Sequence, residues 1–574
     1  MRCSWALAVS AVALTGLPAQ AQTSGSVERR FQDEQQRERL EQLQDQLRQP
    51  RQPLIEGQPA PLKPDDGTAP EPEQAPPIQG VELDGADLPP LTFLDRLRQG
   101  VVGQPANPAR LNQLRIDLAE AFEQNHLLAQ VGQPQLGRDG VVRLPVVVAR
   151  LGSVQVVDDQ GPIKSGWAIA TVTDAVGIGR ELRLDKLESA LLKLNDLGGV
   201  QATARLDAGE RPGTTNVLLS LNTTRQVQGE AALNNHTTKY TGPYQAQASA
   251  AFNGLFGRGE VLGLNGSYSG DPFTLGSSSA GFNLNWPLTP GGLSAVASVN
   301  WSDYRLLDQF QSDDYTGSFV GGSVGLSQVL WRRPTQNLYW RATADGNHSN
   351  DSVLGFEYSN RTSWAGRFAL LGDHQDKWLG LGINSGIFTL SVGTLNLDGP
   401  YEAEIDSLGP AKAGPWGKLN LLLNRYQMFR NSAWSLELLA QGQLAFSNLD
   451  SVEKMSLGWP NGIRAYPPGE ASGDSGLTLQ FTARYQLARN LVAKGFVDGG
   501  YIWRWTDPFT GSINPNAFGL WGPGLGLEWG TRGDVLASVD VAWPLGNNPN
   551  TPFGVDVDGT DADVRVWVSL RKWL

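Results

Sequence analysis

From about residue 226 onward, polar and apolar residues alternate with period two over segments of about ten residues. No other feature restricts the fold as much. In 244–252, Ala246, Ala248, Ala250 and Phe252 oppose Gln245, Gln247 and Ser249. In 338–345, Leu338, Trp340, Ala342 and Ala344 oppose Tyr339, Arg341, Thr343 and Asp345. In 477–487, Leu477, Leu479, Phe481, Ala483 and Tyr485 oppose Thr478, Gln480, Thr482, Arg484 and Gln486. A soluble sandwich also alternates, but so many Gln, Arg and Asp residues would require a wet face on each sheet. No later stretch offers the roughly 18 uninterrupted apolar residues of a membrane helix. A membrane-spanning form of this chain must therefore be a closed β-barrel. The 67 Gly, 18 Trp and only 18% charged residues suit a wide antiparallel sheet with aromatic belts. The roughly 350 residues from 226 to the end, at about 22 per strand with its share of loop, allow about 16 strands.

The region before the barrel divides by composition. Residues 1–21 read as a secretory signal: Arg2, an apolar core over 5–17, and the small-residue site Ala19-Gln20-Ala21. The single cysteine, Cys3, falls inside it, so disulfides are not expected in the exported chain. Within 22–49, residues 27–49 are rich in helix formers, with no interior Gly or Pro, but carry almost no apolar side chains beyond Phe31, Leu40, Leu43 and Leu47. Such a helix suits a solvated arm, a weak coiled coil or a water-filled cavity, and would be about 34 Å long. Residues 50–77 hold nine prolines and read as an extended linker of about 80 Å. Two small α/β modules follow, 78–152 and 153–225, each ordered strand, helix, helix, strand, strand. The net charge of -12 argues against a nucleic-acid partner.

The last part of the chain shows a rhythm of connections. Strands near 476–488, 491–504, 518–530, 534–545 and 562–574 are joined by short, long, short and long links, as in barrels with short periplasmic turns and long outer loops. This puts the segment 461–476, NGIRAYPPGEASGDSG, on the long-loop side. In 491–504 the alternation sends Lys494, Phe496, Asp498 and Gly500 into the lumen. Asp498 is then either one more lumen polar group or a bidentate partner for Arg464 folded back from the loop, with Gly500 leaving room for its approach. Other motifs carry less. Gly-x-Ser-x-Gly around Ser323 lacks the strand-to-helix turn of a nucleophile elbow. His126, His236, His348 and His374 are dispersed, and no pair has metal-ligand spacing. Asp556, Asp558, Asp561 and Asp563 lack the full calcium-loop register and read as a solvated acidic loop. No phosphate-cradling loop is present.

With these residues in place, the sequence resembles the two-partner secretion transporters of the outer membrane, the ShlB/FhaC/HecB type. Residues 184–222 resemble their second POTRA module, departing at Gly198 where proline is usual, and 233–260 resemble the start of their barrel. The loop motif Val-Arg-Gly-Tyr/Phe stands here as Ile463-Arg464-Ala465-Tyr466, followed by Gly469, Glu470, Gly473 and Asp474. The strand motif Phe-x-Asp-x-Gly stands intact as Phe496, Asp498 and Gly500. The resemblance implies a plug helix (22–49), two POTRA modules and a 16-stranded transmembrane barrel over 226–574. It implies a monomer that the barrel assembly machinery inserts among outer-membrane lipid and lipopolysaccharide. Its function would be to pass a large, β-helical, adhesin- or haemolysin-like exoprotein to the cell surface without ATP, with no catalytic residue, metal or cofactor. The alternatives are a barrel assembly factor of the same superfamily and a passive porin.

Overall fold

The computed structural model of the protein describes residues 54–56, 75–85, 88, 93–271, 274–512, 514–549 and 555–574. The expected signal and plug helix lie outside these residues, as does most of the proline-rich segment.

The first module packs helices Leu94–Val101 and Pro108–Gln124 on a small sheet of Gly80–Asp84, Val141–Val148, Ala129–Val131 and Gln135–Leu136. The longer helix starts where the Asn107 side chain accepts the Arg110 N–H at 2.7 Å, with proline in its first turn. Its Leu114, Leu118 and Phe122 are buried against Val142, Leu144 and Val146 of the sheet. The second module places helices Ser165–Val176 and Leu184–Asn195 on strands Arg150–Asp159, Thr214–Thr223 and Val200–Ala208. A fourth strand, Ile55–Glu56, comes from the proline-rich segment and pairs in parallel with Ala204 and Arg205. Period-two burial along Val200–Ala208 put Val200, Ala202, Ala204 and Leu206 into the same core as Leu187, Leu191 and Leu194.

Sixteen antiparallel strands then close into a barrel, from Val227–Asn234 to Arg565–Trp573. The alternation expected in 477–487 holds. Leu477, Leu479 and Phe481 are 43–46% exposed on the outside, while Thr478, Gln480 and Thr482 are 1–6% exposed inside. Outward aromatics gather near both ends of the strands. Trp434, Tyr485 and Trp529 lie toward the short turns, Tyr501, Trp503 and Trp521 toward the long loops, as in the girdles of a membrane barrel.

The second module sits on the short-turn rim. Arg332, beside the turn after Thr316–Arg332, makes a fork to Asp196 at the end of helix Leu184–Asn195, with Nε at 2.7 Å and Nη2 at 2.8 Å. Lys193 donates to the Gly291 carbonyl at 3.2 Å, and the Gly198 N–H to the Gly259 carbonyl at 2.8 Å. A Cβ at Gly198 would stand 2.8 Å from the Glu260 carbonyl oxygen, so glycine here lets module and barrel backbone meet. Asp196→Ala should leave the barrel folded, as judged by its heat-modifiable migration. It should also speed hydrogen exchange at the Gly198 amide by about tenfold, the scale expected when a bidentate charged pair is lost.

Candidate functional site

Residues 446–474, between strands Trp434–Ala445 and Ser475–Ala488, enter the lumen instead of projecting from the rim. The segment makes a small hairpin of its own, Met455–Ser456 with Ser472–Gly473. Leu457, Ile463, Ala465, Tyr466 and Ala471 form an apolar cluster with Phe496, Ile502, Phe518, Leu520 and Ala542 of the wall. A loop rich in Gly and Pro can fold this way because the wall supplies the apolar surface that a free loop lacks.

Arg464 is at the tip. Its Nε meets Asp498 Oδ2 at 2.7 Å and its Nη2 meets Oδ1 at 2.7 Å, while its own backbone N–H donates to Oδ2 at 3.0 Å. Nη2 also reaches the Thr482 hydroxyl at 3.0 Å, and the guanidinium lies over the Phe496 ring at 3.5 Å. Asp498 is fully buried and Arg464 is 6% exposed, so this pair is almost entirely removed from water. Losing one partner of such a pair costs about 3–5 kcal/mol, chiefly because the other charge stays buried alone. The Arg464 carbonyl accepts from Trp567 Nε1 at 2.6 Å, and the Tyr466 hydroxyl donates to the Gly546 carbonyl at 2.6 Å.

The other residues of the motif support the loop. Ile463 is buried and donates its N–H to the Leu457 carbonyl at 2.6 Å. Gly469 turns the chain with φ +83°, and Gly473 packs beside the Trp503 carbonyl. Glu470 accepts from Asn548 Nδ2 at 2.5 Å and from the Val557 N–H at 2.7 Å. Burial pushes the carboxyl of this loop residue up to about 7, and the nearby Asp556 acts in the same direction. Asp474 accepts the N–H groups of Leu449 at 3.1 Å and Thr506 at 2.8 Å, and pairs with Lys454 at 2.7 Å.

Two expectations change. Gly500 makes room for Leu457, not Arg464: a Cβ there would lie 2.8 Å from Leu457 Cδ2. The acidic loop is not simply solvated, since Arg565 pairs with Asp556 at 2.5 Å and Asp558 at 2.7 Å and supplies the positive charge between them. Among the described residues no group of three or more His, Cys, Asp or Glu is placed to hold a metal ion. Ser323 stands within strand Thr316–Arg332, its hydroxyl 2.8 Å from that of Ser298.

Ala465, where glycine is usual, is accommodated from the opposite side. Its methyl faces Gly522, where an added Cβ would lie 2.4 Å from it, and Gly524 likewise leaves space for the Phe496 ring. The lumen face of Ala517–Thr531 is thus a glycine seat for both motifs. Alternation places Gly522 and Gly524 on one face, but only the fold shows what occupies the space.

The model of the haemolysin secretion/activation family ShlB/FhaC/HecB matches residues 213–529. The chain belongs to this family. The heme/hemopexin transporter protein HuxB of Haemophilus influenzae (strain 86-028NP) is 23% identical over 497 residues, covering 83% of each chain. The outer membrane transporter CdiB of Dickeya dadantii is 23% identical over 462 residues, covering 78% of this chain and 79% of the relative. Among solved structures, CdiB from Escherichia coli superimposes with a TM-score of 0.74 at 19% identity, over 97% of this chain and 100% of that one. BamA from Haemophilus ducreyi lacking POTRA domains 1–3 gives 0.51 at 13% identity, over 87% and 100%. The protein is an outer-membrane β-barrel transporter of the two-partner secretion family, with its POTRA modules in the periplasm. The short-turn rim beneath the second module is therefore the periplasmic one.

Ala465→Gly should leave the loop docked. Ala465→Val, which overfills the Gly522 seat, should cost about 1–3 kcal/mol of docking and raise spontaneous channel opening in planar bilayers. Channels as quiet as the parent's would show that this seat does not constrain the tip.

Proposed function

We propose that the barrel passes one unfolded exoprotein from the periplasm to the cell surface, and that the Arg464–Asp498 pair holds the closed resting position of the loop. The observation that carries this reading is the loop itself: a buried ion pair fixes a polypeptide inside a closed barrel. A chain can pass only after that polypeptide moves. The POTRA modules bind the substrate, with the free chain adding to a sheet edge. The pairing of Ile55–Glu56 along Val200–Ala208 supports this, since that edge takes up an extended segment, and a substrate strand adding there would displace Ile55–Glu56. With no phosphate-cradling motif in the sequence, folding of the substrate outside the cell drives transport. A β-helical adhesin or haemolysin fits this drive, because each coil added outside withdraws more chain from the pore.

Comparing proteins released by cells with and without the transporter identifies the exoprotein. Arg464→Ala should then lower its release by about tenfold or more at unchanged barrel abundance. Arg464→Lys, which keeps the charge but not the fork, should fall between parent and Ala. Release equal to the parent's in the Ala variant would remove the proposed role of the pair.

A further inference from the structure

The loop meets the wall a second time, along a different arc. Asp450 and Glu453, in the stretch that leads from Trp434–Ala445 down into the lumen, are 6% and 4% exposed. Asp450 Oδ1 is 2.9 Å from Arg361 Nη1 and 3.0 Å from Lys412 Nζ. Glu453 is 2.6 Å from Arg367 Nη2 and 2.8 Å from Lys418 Nζ, and its backbone carbonyl accepts from Lys418 at 2.7 Å and Gln443 at 2.8 Å. Arg361 and Arg367 project from strand Phe356–Asp376, and Lys418 from Gly414–Phe429. None of these strands touches Arg464, whose partners lie on Ser475–Ala488, Leu491–Trp503 and Arg565–Trp573.

We infer that Asp450 and Glu453 are positioning residues that form a second anchor of the inward loop, separate from the tip. The inference rests on the reading that the loop must move for transport. Each carboxylate bridges two cations of the wall or its adjoining loop. Withdrawing both would take two carboxylates from Arg361, Arg367, Lys412 and Lys418, while Arg361 keeps Asp351, Arg367 keeps Asp345, and Glu402 stands 3.9 Å from Arg361 and Lys412. The cost of stripping two carboxylates from four cations, of which Arg361 and Lys418 are buried, holds the base of the loop in place after the tip has let go. Breaking Arg464–Asp498 alone therefore swings the tip about a fixed base and opens part of the lumen, and the full lumen opens only when the base also leaves.

The test compares the parent, Arg464→Ala, the isosteric double variant Asp450→Asn/Glu453→Gln, and the combined triple variant, each purified full length and checked for heat-modifiable folding. Planar-bilayer recordings should show a small open state in Arg464→Ala. In the triple variant a larger state should be occupied at least about tenfold more often than in Arg464→Ala, as expected when buried pairs lose a partner. Lys418→Met in the Arg464→Ala background should move the same way from the wall side. Because Cys3 is the only native cysteine, a reducible bis-methanethiosulfonate cross-link between Ser363→Cys and Val452→Cys, which line one small cavity beside this anchor, can tether the base. With the tether closed, the large state should vanish and return on reduction. A triple variant with the conductance states of Arg464→Ala, or a large state that persists under the tether, would overturn the second anchor. A quiet Arg464→Ala channel would instead count against the tip lock, and Asp450→Asn/Glu453→Gln compared with the parent would still decide the base.

Discussion

Closure of the sheet is the constraint on which the rest depends. In lipid, every strand N–H and C=O must find a partner within the sheet. The ring closes between Arg565–Trp573 and Val227–Asn234 through only five residue pairs, Ser569 with Asn234 to Trp573 with Glu230. The Asn235 side chain prolongs this seam, accepting the Val568 N–H at 2.7 Å and donating to the Val566 carbonyl at 2.9 Å. A closed ring of this size encloses more space than its inward side chains can fill. The inward loop is the response: it brings an apolar cluster and charged groups to a wall whose lumen face carries both.

The charged contacts inside define a position more than they add stability. A buried ion pair roughly offsets its own desolvation, whereas breaking it by removing one side is expensive. Such a pair penalises every intermediate placement of the loop and leaves the docked one free of penalty. The Arg464 fork, the face of Phe496 and the Thr482 hydroxyl all act on one guanidinium, so its geometry is tightly specified. Bare backbone at Gly522 then sets how closely the tip can approach, and bare backbone at Gly524 makes room for the Phe496 ring beneath the guanidinium.

Period-two alternation revealed the barrel, the faces of its strands and the lumen position of Asp498, because alternation is a local property of the chain. Link lengths located the loop for the same reason. What occupies a space could not be read this way. Gly500 was legible as a gap but not as a gap for Leu457, and the acidic cluster at 556–563 was legible but not its partner Arg565. Ile55–Glu56 is too short for a periodic signal and lies among prolines, so only the sheet edge beside it reveals it as a strand. Asp450 and Glu453 sit 86 to 89 residues from the arginines they bind, a separation across which spacing carries no information.

One strand joins the module contact at the rim to the loop inside the lumen. Arg332, forked to Asp196 of the second POTRA module, also donates to Asn337 Oδ1 at 2.8 Å, and Asn337 donates to Asp373 at 2.8 Å. Asp373 lies on Phe356–Asp376, the strand that presents Arg367 and Arg361 to the loop. A strand in a closed ladder cannot slide by one residue without turning every side chain to the wrong face, and a two-residue step would break its whole ladder on both sides. The wall is therefore a fixed frame. Any coupling between a POTRA module at the periplasmic rim and a loop inside the lumen must therefore run through side-chain partners along that frame.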